Sequence, residues 1–178
     1  MTPAQTVMEI LNEARARVHE SGTVSQAETD REVSNVLDRF DVAPLSNARL
    51  RKGVRAVLDS LVSKGFRLGL VTSAGRKGVD SALNRLRLVE YFSVVVTRND
   101  VQSMKPSGEG ILKAIRMLGC DSADVAFVGD SWVDVRAAKD AGVRAMALVG
   151  GLSPLARLKE EHPDALVKSL HELLSICT

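Results

Sequence analysis

Aromatic side chains are scarce in this chain. One Trp, one Tyr and four Phe make up 3% of its 178 residues. Any core must therefore be aliphatic, and an apolar share of 45% is enough to build one. Cysteine is scarcer still. Cys120 and Cys177 lie far apart with no ligand-like spacing, which excludes a disulfide framework and a cysteine metal site and fits two reduced thiols. Net charge is nearly absent too. Twenty-four Lys and Arg against 22 Asp and Glu leave +2, and no long basic run argues for nucleic acid. No apolar run approaches a membrane span, and the N-terminus lacks the basic-then-apolar pattern of a leader. A cytoplasmic chain with no membrane partner is the expectation. The length fits one domain, or one with a small appendage, and no internal repeat or low-complexity stretch appears.

What is present falls into two patterns. Thr2-Pro3-Ala4-Gln5 reads as a helix start, and Val7, Ile10, Leu11, Ala14 and Val18 recur at helical spacing behind it. Ser25-Gln26-Ala27-Glu28 is a second capping box, followed by Val33, Val36, Leu37 and Phe40. Residues 1–47 thus read as a helical hairpin and a linker around Pro44, with His19 solvated where the first helix frays. An exposed apolar face on that hairpin could pair two chains into a homodimer.

From Leu50 onward helices alternate with strands. The helices are expected at Val54–Val62, Gly78–Leu88, Ser107–Leu118 and Asp134–Ala141, with short ones after Ser153 and around Leu170–Leu174. The strands are expected at Phe66–Val71, Tyr91–Val96, Val125–Val128 and Arg144–Val149, with a small edge strand at Ala165–Val167. Such alternation implies right-handed βαβ crossovers and an α/β fold with a mostly parallel sheet over residues 48–178.

In parallel strands the loops after the carboxyl ends share one edge, where ligands bind in open sheets. Three loops there carry chemistry. Thr72-Ser73-Ala74-Gly75-Arg76-Lys77-Gly78 offers hydroxyls, glycines and bases just before a helix, a setting that suits a phosphate or an ordinary capped turn. Arg76 and Lys77 are candidates for a second anionic group on a substrate, or simply solvated bases. Met104-Lys105-Pro106-Ser107 aims Lys105 out of a loop ahead of a helix. Gly129-Asp130-Ser131-Trp132-Val133-Asp134 places two carboxylates four residues apart, as oxygen ligands for a hard cation such as Mg²⁺ or as caps of the helix.

Leu70-Val71-Thr72-Ser73, Lys105-Pro106 and Gly129-Asp130-Ser131-x-x-Asp134 resemble, in order, the second, third and fourth motifs of the haloacid dehalogenase superfamily. Leu50 to Gly65 resembles the helix before the second motif in phosphoglycolate phosphatase-like members. The resemblance spans roughly residues 48–150, with the N-terminal helices similar to a remnant of that family's helical cap. It implies a Rossmann-like three-layer fold and a Mg²⁺-dependent hydrolase of small phosphorylated metabolites. It also implies roles. Thr72 would bond the phosphoryl group, with Ser73 and Arg76 beside it on the substrate. Lys105 would neutralise charge there and on the nucleophile. Asp130 would bind Mg²⁺, and Asp134 would support the ion or orient Lys105. These roles suit phosphoryl transfer, which depends on positioning and on neutralising anionic oxygens.

The first motif of that family, an apolar strand ending in Asp-x-Asp-Gly-Thr, does not occur in these 178 residues. Its first aspartate is the nucleophile and its second the general acid/base. Asp38-Arg39-Phe40-Asp41 follows a helical face and lacks the Gly-Thr. The absent strand would lie between those ending at Val71 and Val128, so these must either pair directly or leave a gap lined by unpaired backbone. Each buried unpaired group costs on the order of 1–3 kcal/mol, against roughly 5–15 kcal/mol of net stability for a domain. The chain then reads as an incomplete copy of an enzyme, one piece of a two-piece enzyme, or a non-catalytic module that binds Mg²⁺ or phosphate.

Overall fold

The computed structural model describes residues 45–176 and, before them, Ser25, Glu28, Thr29, Val33, Leu37, Asp38 and Asp41. Most of the expected hairpin, with His19 and its apolar faces, lies outside the described residues, as does Cys177. Its second capping box is present: the Glu28 amide donates to Ser25 Oγ (3.3 Å) and the Ser25 amide to a Glu28 carboxylate oxygen (3.3 Å).

Among the described residues, helices and strands alternate from Val54 on. They run α1 Val54–Ser63, β1 Leu68–Val71, α2 Arg76–Arg85, β2 Phe92–Val96, α3 Glu109–Leu118, β3 Ala126–Gly129, α4 Trp132–Asp140, β4 Arg144–Leu148, α5 Leu155–Glu160, β5 Ala165–Val167 and α6 Leu170–Ile176. The elements match the sequence reading, and their ends move for local reasons. Leu88 and Tyr91 fall in a short turn between α2 and β2 rather than in either element. Pro106 stands three residues before α3, not at its first position as the spacing suggests, because Gly108 takes the N-cap. Gly119, at φ +61°, closes that helix in the left-handed conformation that glycine adopts freely.

All strand pairings are parallel, but the sheet is in two pieces. β1 pairs with β2, and β3, β4 and β5 pair in that order, with β5 at the edge. Right-handed crossovers put α2 on one face and α3, α4 and α5 on the other. α1 packs against α6. The core is aliphatic, as the composition requires. Ile111 and Ile115 of α3 meet Val135, Ala137 and Ala138 of α4, Ala145 and Ala147 of β4, and Leu158 of α5. The alanine-rich face of α4 lets it lie close against β3 and β4.

β1 and β3 do not pair with each other. Of the two outcomes left by the absent strand, the fold takes the gap. A groove of about 610 Å³ runs between them, lined by Leu68–Val71 on one side and Ala126–Val128 on the other.

Candidate active site

Thr72, Lys105 and Asp130 follow three parallel strands, so they emerge on one edge of the molecule. The Thr72 amide donates to Val96 O on β2 (2.9 Å), which anchors the loop. Its hydroxyl oxygen accepts the Ala74 amide (3.1 Å), folding the chain toward Gly75, the N-cap of α2. After β2 a tight turn is organised by Asp100, whose Oδ2 accepts from the Thr97 amide and hydroxyl, both at 2.7 Å. Burial pushes the Asp100 carboxyl up, but the bonds from Thr97 and the Arg76 guanidinium outweigh it and hold the group below its ordinary value.

Lys105 is drawn inward. Its Nζ lies 2.6 Å from Asp134 Oδ1, with the two side chains 15% and 9% exposed, and 5.8 Å from the centre of the Phe127 ring. The usual fate of a lone loop lysine, a solvated tip, does not apply to it. Asp134 Oδ2 accepts the Ser131 amide (3.1 Å) in a capping box at the start of α4. Asp134 is therefore both a helix cap and the partner of Lys105. Lys105, Thr72 and Ser73 share a cavity of about 10 Å³ with Thr97 and Ser103, room for about one water.

The remaining candidates are placed differently. The Arg76 guanidinium bonds Asp100 (2.5 Å) and Val95 O (2.9 Å), and Arg76 is not among the residues lining that cavity. Lys77 is exposed. Asp38 and Asp41 are ion-paired to Arg98, which is 5% exposed, and Asp41 also accepts the Gly75 amide (2.8 Å). This pair thus clamps the loop after β1. Trp132 stacks between the guanidiniums of Arg136 and Arg157, at 5.1 and 4.6 Å.

The donor set bears on a metal. Asp130 is 32% exposed, and its nearest ionic partner is Arg51, at 3.9 Å. One accessible carboxylate suits Mg²⁺, which keeps several waters and takes one or two carboxylates beside a phosphate. Asp134 fits less well, because Lys105 and the Ser131 amide already occupy both its oxygens. Among the described residues no cluster of three or more His, Cys, Asp or Glu is arranged to hold a metal by itself.

Sequence reasoning missed Arg98 and Arg51. Arg98 follows the β-branched run Val94–Val96 by two residues, and a base so close to a buried strand was the available signal. Arg51 had none, since it meets Asp130 only through the fold.

This edge brings a hydroxyl, a half-buried lysine and a carboxylate together at the ends of three strands of an α/β fold. The model of the haloacid dehalogenase-like hydrolase family matches residues 25–148, and the chain belongs to that family. It is 33% identical over 123 residues to the pyrophosphatase PpaX of Bacillus velezensis, covering 69% of this chain and 57% of that protein. The PpaX of Bacillus cereus AH820 is 32% identical over the same shares. The chain thus spans less than three-fifths of the length of these relatives. Its fold is similar to the crystal structure of a predicted phosphoglycolate phosphatase from Haemophilus somnus, with TM-score 0.70 and 26% identity over 75% of this chain and 60% of that one. A predicted phosphatase from Clostridium acetobutylicum shares the fold at TM-score 0.73 and 22% identity, over 91% and 75% of the two chains.

Proposed function

We propose that this chain supplies the phosphate- and metal-handling part of a Mg²⁺-dependent phosphomonoester hydrolase. The observation that carries the reading is the convergence of Thr72 and Lys105 on one small cavity, with Lys105 held by Asp134, four residues beyond Asp130. The Thr72 hydroxyl accepts from Ala74 and keeps its proton for a phosphoryl oxygen. Lys105 brings a positive charge that Asp134 orients. Asp130 would hold Mg²⁺, which when bound neutralises phosphate oxygens. Ser73 lines the same cavity and is a second substrate donor. Arg76 reaches a substrate only by leaving Asp100.

The nucleophilic carboxylate comes, in this reading, from outside these 178 residues, since no Asp-x-Asp-Gly-Thr occurs in them and Asp38 and Asp41 are committed to Arg98. The substrate is a small phosphorylated metabolite in the cytoplasm. The relatives' names make pyrophosphate and phosphoglycolate the first to try. That same absence favours a second reading, a non-catalytic module that holds Mg²⁺ or phosphate.

The test is hydrolysis of an aryl phosphate by the purified chain, with and without Mg²⁺, beside Asp130→Asn, together with thermal unfolding. The reading expects no turnover by the chain alone. It expects Mg²⁺ with inorganic phosphate to raise the melting temperature, and Asp130→Asn to abolish that rise. Mg²⁺-dependent turnover would show that a carboxylate of this chain serves as nucleophile. No thermal response in the parent chain would remove both the phosphatase reading and the binding-module reading.

A further inference from the structure

Beyond the bond of the Thr72 amide to β2, the loop after β1 is tied down around Arg98. The Arg98 amide donates to Ala74 O (3.1 Å), and Arg98 Nη1 donates to Ser73 O (2.9 Å). The same Nη1 donates to Asp41 Oδ2 (2.8 Å), which also accepts the Gly75 amide (2.8 Å), and Nη2 donates to Asp38. Every residue from Thr72 to Gly75 thus has a backbone group fixed: Thr72 by β2, Ser73 and Ala74 by Arg98, and Gly75 by a carboxylate that Arg98 holds. Arg98 is 5% exposed, and its Nε has no hydrogen-bond partner. Burying a guanidinium with one donor unpaired costs stability, and well-packed apolar residues often replace a buried ion pair without loss. Folding alone does not call for a cation here. The start of α2 is also filled from within the chain. Asp41 takes the Gly75 amide, and Asn99 Oδ1 takes the Arg76 amide (2.7 Å), so these two donors are not open to an anion as they are at a bare helix start. Thr72 and Ser73 line the cavity of Lys105, and Gly75 and Arg76 do not.

We infer that Arg98 is a positioning residue for Thr72. Pinned by Asp38 and Asp41, it fixes the loop so that the Thr72 hydroxyl, and not the start of α2, is what an oxyanion meets beside Lys105. Thr72 Oγ1 accepts the Ala74 amide (3.1 Å), which directs the hydroxyl proton elsewhere. Ala74 is placed for that bond because its carbonyl is held by the Arg98 amide and the carbonyl before it by the Arg98 side chain. The planar guanidinium reaches the Ser73 carbonyl and two carboxylates at once, a fork that lysine cannot reproduce. A donor fixed in advance gives up little freedom when the anion arrives. Arg98 acts through the loop and is not among the residues lining the cavity. This role rests on the proposed function, in which Thr72 bonds a phosphoryl oxygen, and adds the residue that holds Thr72 in place.

The experiment is a double-mutant cycle on the 178-residue chain, read by calorimetric titration with inorganic phosphate in the presence of Mg²⁺ and by amide hydrogen exchange. Thr72→Val should weaken phosphate binding about tenfold, the loss of one bond to a charged group. Arg98→Met should weaken it by a similar factor while the chain still melts cooperatively. In the Arg98→Met background Thr72→Val should then add less than about twofold, because the hydroxyl is no longer held; a residue that only supports the fold would leave the two losses additive. Arg98→Lys should not restore binding. Exchange at the Ala74 and Gly75 amides should quicken in Arg98→Met and stay unchanged at Ala147. Should Arg98→Met fail to fold, Asp41→Ala, at a partly exposed position, should give the same pattern with a smaller loss. Additive losses, parent-like phosphate affinity in a folded Arg98→Met chain, or unchanged exchange at Ala74 and Gly75 would each overturn the inference. A parent chain that binds no phosphate would remove the phosphatase reading, and exchange alone would then decide the anchoring: quicker exchange at Ala74 sustains it and unchanged exchange overturns it.

Discussion

Lys105 and Asp134 show how much one ion pair is asked to do. Both side chains are largely out of water, so among the described residues the ammonium depends on one carboxylate, and removing one member of a buried pair costs about 3–5 kcal/mol. Asp134→Asn keeps an acceptor for the Ser131 amide but not the charge, so urea unfolding should show a loss of about 3 kcal/mol. Adding Lys105→Met should restore part of it by removing the stranded ammonium. An Asp134→Asn chain within about 0.5 kcal/mol of the parent, the range of ordinary surface changes, would mean that the pair is solvated. Asp100 makes a prediction in pH. Its carboxyl is held below the ordinary 3.8 by Thr97 and Arg76. The stability it contributes is therefore fully present above pH 3.8 and is lost as pH falls through the lower folded value. Asp100→Asn should unfold at lower urea than the parent at pH 7, and the gap should close below about pH 4. A gap that widens on acidification would contradict the assignment.

At the scale of elements, two glycines around α3 separate close packing from backbone conformation. A Cβ at Gly108 would meet the Ala141 amide nitrogen at 2.6 Å and its Cα at 2.9 Å, at the end of α4. Backbone cannot swing aside as a side chain can, so Gly108→Ala should destabilise by about 2–3 kcal/mol through overpacking. Gly119 has nothing within 4 Å but sits at φ +61°. Gly119→Ala should cost only about 1 kcal/mol, for the left-handed conformation alone. Denaturation of both variants checks the order, and equal losses would show that the approach of α3 to α4 is looser than described. That approach matters to the site, because α3 follows the loop of Lys105 and α4 begins beside Asp130.

At the scale of the whole molecule, the divided sheet should be visible in solution. Native-state hydrogen exchange of the chain alone should alternate along the inner strands. The Leu70 amide on β1, the Thr72 amide just after it, and Phe127 and Gly129 on β3 point at paired neighbours and should be slow, while Gly69, Val71, Ala126 and Val128 should be fast. Uniform protection along β1 and β3 would mean that the gap is closed. Among the described residues no helix is long and apolar enough to cross a membrane.

The order of helices and strands, the parallel pairing and the shared edge of Thr72, Lys105 and Asp130 were legible in the sequence. Apolar periodicity, Gly and Pro punctuation and the right-handed crossover are local signals, and they carry that much of an α/β fold. The absence of one strand was legible too, because a buried strand is a continuous apolar run and none precedes Thr72 with the expected ending. Only the tertiary structure decided how the chain meets that absence, with a gap rather than a new β1–β3 pairing, since this depends on how α3 and the α1–α6 pair hold the two half-sheets apart. It alone also decided which charges find partners. Lys105 turned to Asp134, Arg76 to Asp100, and Arg98 to Asp38 and Asp41. Apart from Arg76 with Asp100, which the β1–β2 pairing brings together, these partners lie 29 to 60 positions apart. Ion pairing across such separations follows from packing and leaves no periodic trace in the chain.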